Sequence, residues 1–382
     1  GDFPTIQAAV DAAIDGDEIL VMPGTYMGTG EEVVNLLGKA VWLHSSDGPD
    51  VTIIDGESIR RVLLCNSEED IHTIIEGFTI SNGGPSSGSD AGGMWNYMSS
   101  PRVVNCRFIN NTGTHGGAVR NHGDDPTFED CIFENNTADY GGGMYNNDNN
   151  ATPTLTNCIF KNNTANYDGG GMWNYTSNPT LTNCTFTGNT ANNYGGGGMY
   201  NEFSSSTLTG CTFENNTAIC GGGFYQRENS YSTFTNCGFF NNTTTGEKAD
   251  GGGLNFSNGN YNAANVASFE GCVINGNSSE WRGGGMSVHM KATVSLSNCE
   301  VSNNSADSEP GNLTGGGGVC NPGSTLTLTD TIVCGNTPDQ ITAGGWTDNG
   351  GNTIADECPI DCPDINGDGY VNVSDLLAVI DQ

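Results

Sequence analysis

The densest set of metal-ligating side chains in the chain is the run DINGDGYVNVSD, Asp364 to Asp375. Counting from Asp364, oxygen donors stand at positions 1, 3, 5, 9 and 12 (Asp364, Asn366, Asp368, Asn372, Asp375), glycine stands at position 6 (Gly369), and Tyr370 offers its backbone carbonyl at position 7. Hard oxygen donors spaced around a sharp glycine turn are what a calcium ion requires, so calcium is the expected cofactor. The plainer reading of the same residues is an acidic tail.

Other chemistry is harder to find. The five histidines (His44, His72, His115, His122, His289) show no metal-ligand spacing, and the 11 lysines and arginines are scattered singly apart from Arg60-Arg61. Acidic residues of the central region, such as Asp124, Asp125 and Asp139, fall in segments that vary in length and read as turns. Acid–base catalysis needs a positioned base or paired carboxylates, and no such constellation is visible, so the reading leans against an enzyme without closing the question.

Charge narrows the partners. Forty-four acidic against 11 basic residues give a formal charge of −33. Such a surface repels phosphate backbones and anionic lipid, which argues against nucleic acid, and it suits divalent cations; solubility alone explains it equally well. No apolar run is long enough to span a bilayer. The chain begins at Gly1 without an initiator methionine, from which removal of a leader and a secreted or cell-surface location are inferred.

The elements that must position any site are set by a repeat. Cys106, Cys131, Cys158, Cys184, Cys211, Cys237, Cys272 and Cys299 fall 25, 27, 26, 27, 26, 35 and 27 residues apart, and Phe78 and Thr331 extend the register. One slot recurring about every 26 residues marks a solenoid, and its occupants are small or apolar, so these eight cysteines are expected to be buried free thiols. Cys65, Cys220, Cys320, Cys334, Cys358 and Cys362 lie off the ladder and are the disulfide candidates, with their pairing open.

Each repeat holds three strand-like pieces: a Thr-Leu-Thr type (Thr154 to Thr156, Thr180 to Thr182, Thr207 to Thr209), a Cys-x-Phe type, and a glycine cluster leading into Met-aromatic-Asn, as in Met144, Tyr145 and Asn146. Alternation holds inside a piece and fails across junctions: Leu181 and Phe186 share a face only if the chain turns at Asn183. The expected fold is all-β, a right-handed single-stranded parallel β-helix, three-sided, with like side chains stacked and asparagine ladders at the turns.

Two family resemblances attach to these residues. The pair F-x-x-N (Phe108 to Asn111, Phe133 to Asn136, Phe160 to Asn163, Phe186 to Asn189, Phe213 to Asn216, Phe239 to Asn242) and G-G-A/G-hydrophobic (Gly116 to Val119, Gly142 to Met144) resembles the polymorphic outer-membrane protein repeat, which implies a surface-displayed adhesive β-helix. No C-terminal barrel is seen, so outer-membrane insertion is not expected. Residues 3–26 resemble the opening cap of pectin-lyase-like β-helices, with Ile6, Ala9, Val10 and Ala13 on one helix face leading through Gly16-Asp17 into a buried strand from Ile19 to Met22. The terminal loop has the EF-hand layout with aspartate in place of the last glutamate, and resembles one half of a type I dockerin. The expected organisation is an N-terminal cap at 1–30, the β-helix at 31–340, a cysteine-containing cap or linker at 341–363, and an incomplete dockerin-like calcium segment at 364–382.

Two outward arrays remain. If Met94, Met144, Met172 and Met199 point inward, then Trp95, Tyr145, Trp173, Tyr200 and the analogous Tyr225 point outward as an aromatic stripe that could stack on sugars or on protein, or simply steady the strands. Threonine columns (Thr154/Thr156, Thr180/Thr182, Thr207/Thr209, Thr233/Thr235) resemble the face of ice-binding solenoids, and strand propensity explains them too. Sequons such as those at Asn110, Asn135 and Asn303 recur because the turn is Asn-Asn-Thr. The favoured expectation is a non-enzymatic extracellular structural or adhesive protein that binds calcium and self-associates or engages another extracellular protein, with Trp346 helping to fix the junction. The alternative is a carbohydrate-binding or polysaccharide-degrading β-helix, lyase or hydrolase, whose partner is a polysaccharide. Ice binding is a minor alternative.

Overall fold

The computed structural model describes residues 2–84, 91–123, 125–147, 151–258, 264–307, 315–342 and 344–358. The calcium run Asp364–Asp375, with Asp364, Asn366, Asp368, Tyr370, Asn372 and Asp375, lies outside the described residues, as does Cys362. The chain is an all-β right-handed parallel β-solenoid of about 10 turns, and the helix Ile6–Ala12 is the single α-helix among the described residues. It divides into two compact units, residues 1–207 and 208–382.

In the first unit the predicted pieces form three parallel ladders. The first face runs from Glu18–Val21 to Thr180–Thr182, the second from Gly24–Met27 to Thr185–Thr187, and the third from Glu32–Asn35 to Met199–Glu202, each strand pairing with its counterpart one turn away. The structure adds a fourth, shorter strand to the central turns: Thr112–His115, Thr137–Tyr140, Thr164–Ala165 and Thr190–Ala191 pair in parallel. The expectation of three sides missed it because two residues are too few to display an alternation. The second unit repeats the plan, with Thr217–Ala218, Thr243–Thr244, Ser278–Ser279 and Ser305–Ala306 as its short strands. Its ladders run on through Trp346–Asp348 and Thr353–Ala355, inside the segment expected to be a cap.

Columns of identical side chains make the core. In the first unit Phe108, Phe133, Phe160 and Phe186 stack with ring centroids 5.1, 4.4 and 4.7 Å apart. The ladder cysteines are buried thiols outside any disulfide, as are Cys65 and Cys320, and Cys220 is a half-buried thiol also outside any disulfide. Six ladder thiols (Cys106, Cys131, Cys158, Cys184, Cys237 and Cys272) also find a carbonyl of the preceding turn: Cys131 donates to Val103 O at 3.5 Å and Cys158 to Phe128 O at 3.5 Å. Thr331, in the same slot, donates its hydroxyl to Leu296 O at 3.4 Å, as the thiols do, while Phe78 fills the slot as a buried apolar side chain. Of the disulfide candidates, Cys334 and Cys358 are joined.

Asparagine satisfies the turns. Asn111, Asn136, Asn163 and Asn189 form a buried ladder in which each Oδ1 accepts from both the side-chain and the backbone nitrogen of the asparagine one turn before, at 2.9–3.0 Å. Asn136, Asn163 and Asn189 also donate Nδ2 to a phenylalanine carbonyl, as Asn163 does to Phe133 O at 2.8 Å, and Asn111 donates to Ile80 O at 3.0 Å. The turn at Asn183 is taken in the left-handed region (φ 53), which asparagine tolerates better than most residues. The glycine clusters are dictated by close approach: a Cβ on Gly142 would lie 2.5 Å from the Gly170 carbonyl oxygen.

The N-terminal helix buries Ile6 and Val10 and is capped by Thr5, whose Oγ1 accepts from Ala8 N at 3.1 Å. Lys39 Nζ donates to Val10 O and Asp11 O near its end. The strand that follows is buried on one side only, with Leu20 and Met22 more than half exposed; it is less buried than its apolar run suggests.

Candidate functional site

On the outer side of the third face in the first unit, register places Leu64, Trp95, Arg120, Tyr145, Trp173 and Tyr200 in one column, and Tyr97, His122, Asn147, Tyr175 and Glu202 in the next. The methionines point inward as expected, but the aromatic stripe does not stand in solvent. Tyr145 is 5%, Trp173 9% and Tyr200 1% exposed, Trp95 is half-buried, and in the second unit Tyr225 is 6% exposed. The cover is the short fourth strand and the turn after it, which lay His115, Tyr140 and Tyr167 over the column: Tyr140 meets Trp173 at 4.5 Å and Tyr167 at 5.1 Å, and His115 meets Tyr145 at 4.9 Å. The network continues through Tyr145–Trp173 at 4.7 Å, Trp173–Tyr175 at 6.1 Å and Tyr175–Phe203 at 6.0 Å.

The surface this leaves is aromatic, formed by different rings from those the sequence indicated. Tyr97, Tyr167, Tyr194 and Phe203 are between about a third and a half exposed. The indole N–H groups of Trp95 and Trp173 are buried and make no hydrogen bond among the described residues. Arg61 lies over Trp95 at 4.6 Å and Arg120 over Tyr145 at 5.8 Å. Burial, then the nearby Asp168, raises the Tyr140 hydroxyl pKa, so it remains a donor at neutral pH.

The first face of the same unit carries threonines outward (Thr154, Thr156, Thr180, Thr182), but toward the N-terminus the columns hold Glu18, Trp42, His44, Glu76, Arg102 and Glu129 instead. Trp42 stacks on His44 at 4.0 Å and donates to Glu76 at 3.0 Å, His44 meets Glu18 at 2.8 Å, and Arg102 forks onto Glu129 at 3.0 and 2.7 Å. The hydrogen bond from Arg102 holds the Glu129 carboxyl below the usual range.

In the second unit the structure assembles a cluster that the apparent scatter of basic residues conceals. Asp250, Arg282 and His289 come from neighbouring turns: Asp250 and Arg282 pair across a parallel bridge, the guanidinium grips the carboxylate through Nε and Nη2, and His289 Nε2 stands 3.9 Å from Asp250 Oδ2 and 3.1 Å from Asn255 Oδ1. Arg282 also lies 4.0 Å over the Trp281 ring. Burial pushes His289 down to about 4, against the opposing pull of Asp250, so its imidazole is neutral at pH 7. A signal was available: Cys220, Asp250 and Arg282 each stand immediately before a Gly-Gly-Gly, one slot of successive repeats.

Among the described residues no group of three or more His, Cys, Asp or Glu side chains stands close enough to hold a metal ion, and no helix is long and apolar enough to cross a membrane.

Four stacked ladders closed every 26 or so residues define the class, a parallel β-solenoid. Residues 33–186 and 166–308 match the family described as right handed beta helix region, and the chain belongs to that family. No curated protein sequence matches it. Among solved structures, a PL6 alginate lyase complexed with a trisaccharide superposes with a TM-score of 0.52 at 12% identity, over 92% of this chain and 81% of that one. The A-module of the mannuronan C-5 epimerase AlgE4 of Azotobacter vinelandii gives 0.47 at 13% identity (93% and 95%), and the pectate lyase Pel9A gives 0.39 at 15% (91% and 73%). At these identities the likeness bears on the fold alone.

Proposed function

We propose that this protein engages a polysaccharide outside the cell, along the aromatic surface of its first unit. The observation that carries the reading is a set of part-exposed rings, Tyr97, Tyr167, Tyr194 and Phe203, on the outer side of a packed aromatic layer. Aromatic faces take the C–H faces of sugar rings, and part-exposed rings held by a packed layer beneath them are pre-positioned to do so. The PL6 alginate lyase that shares the fold is itself seen with a trisaccharide, and this supports a glycan over a purely structural or adhesive role. Calcium held by Asp364, Asn366, Asp368, Asn372, Asp375 and the Tyr370 carbonyl would order the C-terminal segment, and belongs to the same proposal.

Affinity electrophoresis through gels cast with neutral or acidic polysaccharides tests the reading. Retardation by at least one polymer, weakened several-fold by Tyr167→Ala, is expected; unretarded migration in all of them overturns it. Incubating the retarding polymer with the protein and assaying unsaturated and reducing ends then decides between binding alone and cleavage.

A further inference from the structure

We infer that a groove in the second unit, lined by Arg282, His289, Met290, Lys291, Pro322 and Gly323, is a subsite for the oxyanion of an acidic sugar. This rests on the reading that the protein engages a polysaccharide, and it names the kind of sugar unit. In a chain with 11 basic residues and a charge of −33, two cations and a histidine line one groove. Arg282 is neutralised by Asp250, whereas Lys291 is exposed and has no acidic partner among the described residues. The groove therefore presents one uncompensated positive charge beside a buried ion pair that fixes its wall.

His289 supplies the complementary group. Asn255 Nδ2 donates to Asp250 O at 3.2 Å, which leaves Asn255 Oδ1 as the acceptor facing His289 Nε2 at 3.1 Å. Nε2 must then carry the hydrogen, and Nδ1 is left as a lone-pair acceptor on a side chain 11% exposed. A cation beside a neutral imidazole acceptor suits a ring that bears both an oxyanion and hydroxyls, with Met290 and Pro322 as apolar walls.

The backbone carries a second, independent mark. Ala292 N donates to His289 O at 3.3 Å, closing a tight turn whose two central residues, Met290 and Lys291, have φ of 55° and 64°. That turn is normally made by Asn-Gly or Asp-Gly, and placing two ordinary side chains in the left-handed region is unfavourable at each. Met290 and Lys291 are the wrong residues for the turn and the right ones for the groove it presents.

Calorimetric titration of the full chain with a hexuronate oligomer, a sulfated oligomer and a neutral oligomer of equal length tests this. The wild type should prefer an acidic oligomer to the neutral one. Lys291→Gln should weaken the acidic ligand about tenfold and leave the neutral one unchanged, while Lys291→Arg keeps most of the affinity. Whichever acidic oligomer binds tighter identifies the oxyanion as carboxylate or sulfate. If Lys291→Gln binds both acidic oligomers as the wild type does, or the wild type shows no acidic preference, the groove is not an oxyanion subsite. Tyr167→Ala, titrated in parallel, reports on the aromatic surface alone: neutral binding that it leaves intact counts against that surface and not against the groove.

Discussion

Arg282 and Asp250 meet across one turn of the solenoid in a forked ion pair, Nη2 donating to Oδ2 at 3.1 Å while Nε takes the other carboxylate oxygen, with only 17% and 8% of the two side chains exposed. A charge buried this far depends on its partner.

Asp250→Ala is therefore expected to destabilise the protein by about 3 kcal/mol, because it leaves the guanidinium uncompensated. The double variant Asp250→Leu/Arg282→Met removes both charges and should recover most of the loss. Urea unfolding monitored by circular dichroism checks both, and equal midpoints for the single and double variants would contradict the assignment.

His289 makes a linkage prediction of definite sign. Its folded pKa of about 4 lies below the unfolded value, so the unfolded state binds the extra proton first as pH falls. Stability from this group is complete above about pH 6.5 and declines through the window down to its folded pKa, by on the order of 3 kcal/mol. His289→Asn should flatten that part of the wild-type pH–stability curve. Glu129, held low by Arg102, adds a smaller loss of the same sign at still lower pH, limited by its partial exposure.

The cysteine ladder should be inert in the native protein. All eight ladder thiols are buried out of reach of the reagent, and burial also pushes the Cys106 thiol up to about 12, which withholds the thiolate that alkylation needs. Mass spectrometry after iodoacetamide treatment should find the eight ladder cysteines unlabelled in native protein and labelled after unfolding in denaturant without reductant. The Cys334–Cys358 peptide pair should gain its labels only after reduction.

Asp368→Ala removes a central carboxylate from the proposed calcium loop. A loss of most of the calcium heat in titration calorimetry is expected, with an unchanged β-sheet spectrum, because the ladders described here do not include residue 368. Matching isotherms for the variant and the wild type would remove calcium from the proposed function.

Parallel stacking writes itself into the sequence as a period, because each slot meets its own equivalent one turn away. The Cys106-to-Cys299 register, the inward methionines, the Asn111-to-Asn189 ladder, the turn at Asn183 and the N-terminal helix could all be read from spacing and residue type. What escaped was set by the parts of each repeat that differ. The turn carrying Tyr140 and Tyr167 folds over Tyr145 and Trp173, so an aromatic column legible in the sequence became an inner layer, and its cover became the surface. Cys334 and Cys358 pair because the last strands bring them to adjacent turns, which no spacing rule selects among six candidates. Asp250 and Arg282 share the slot before successive Gly-Gly-Gly runs, so their pairing follows the period, whereas the approach of His289 to the same carboxylate joins different slots and is visible only in the closed turns. A period specifies neighbours along the stack, whereas contacts between different slots depend on how far each turn reaches, and that length is resolved only by packing in three dimensions.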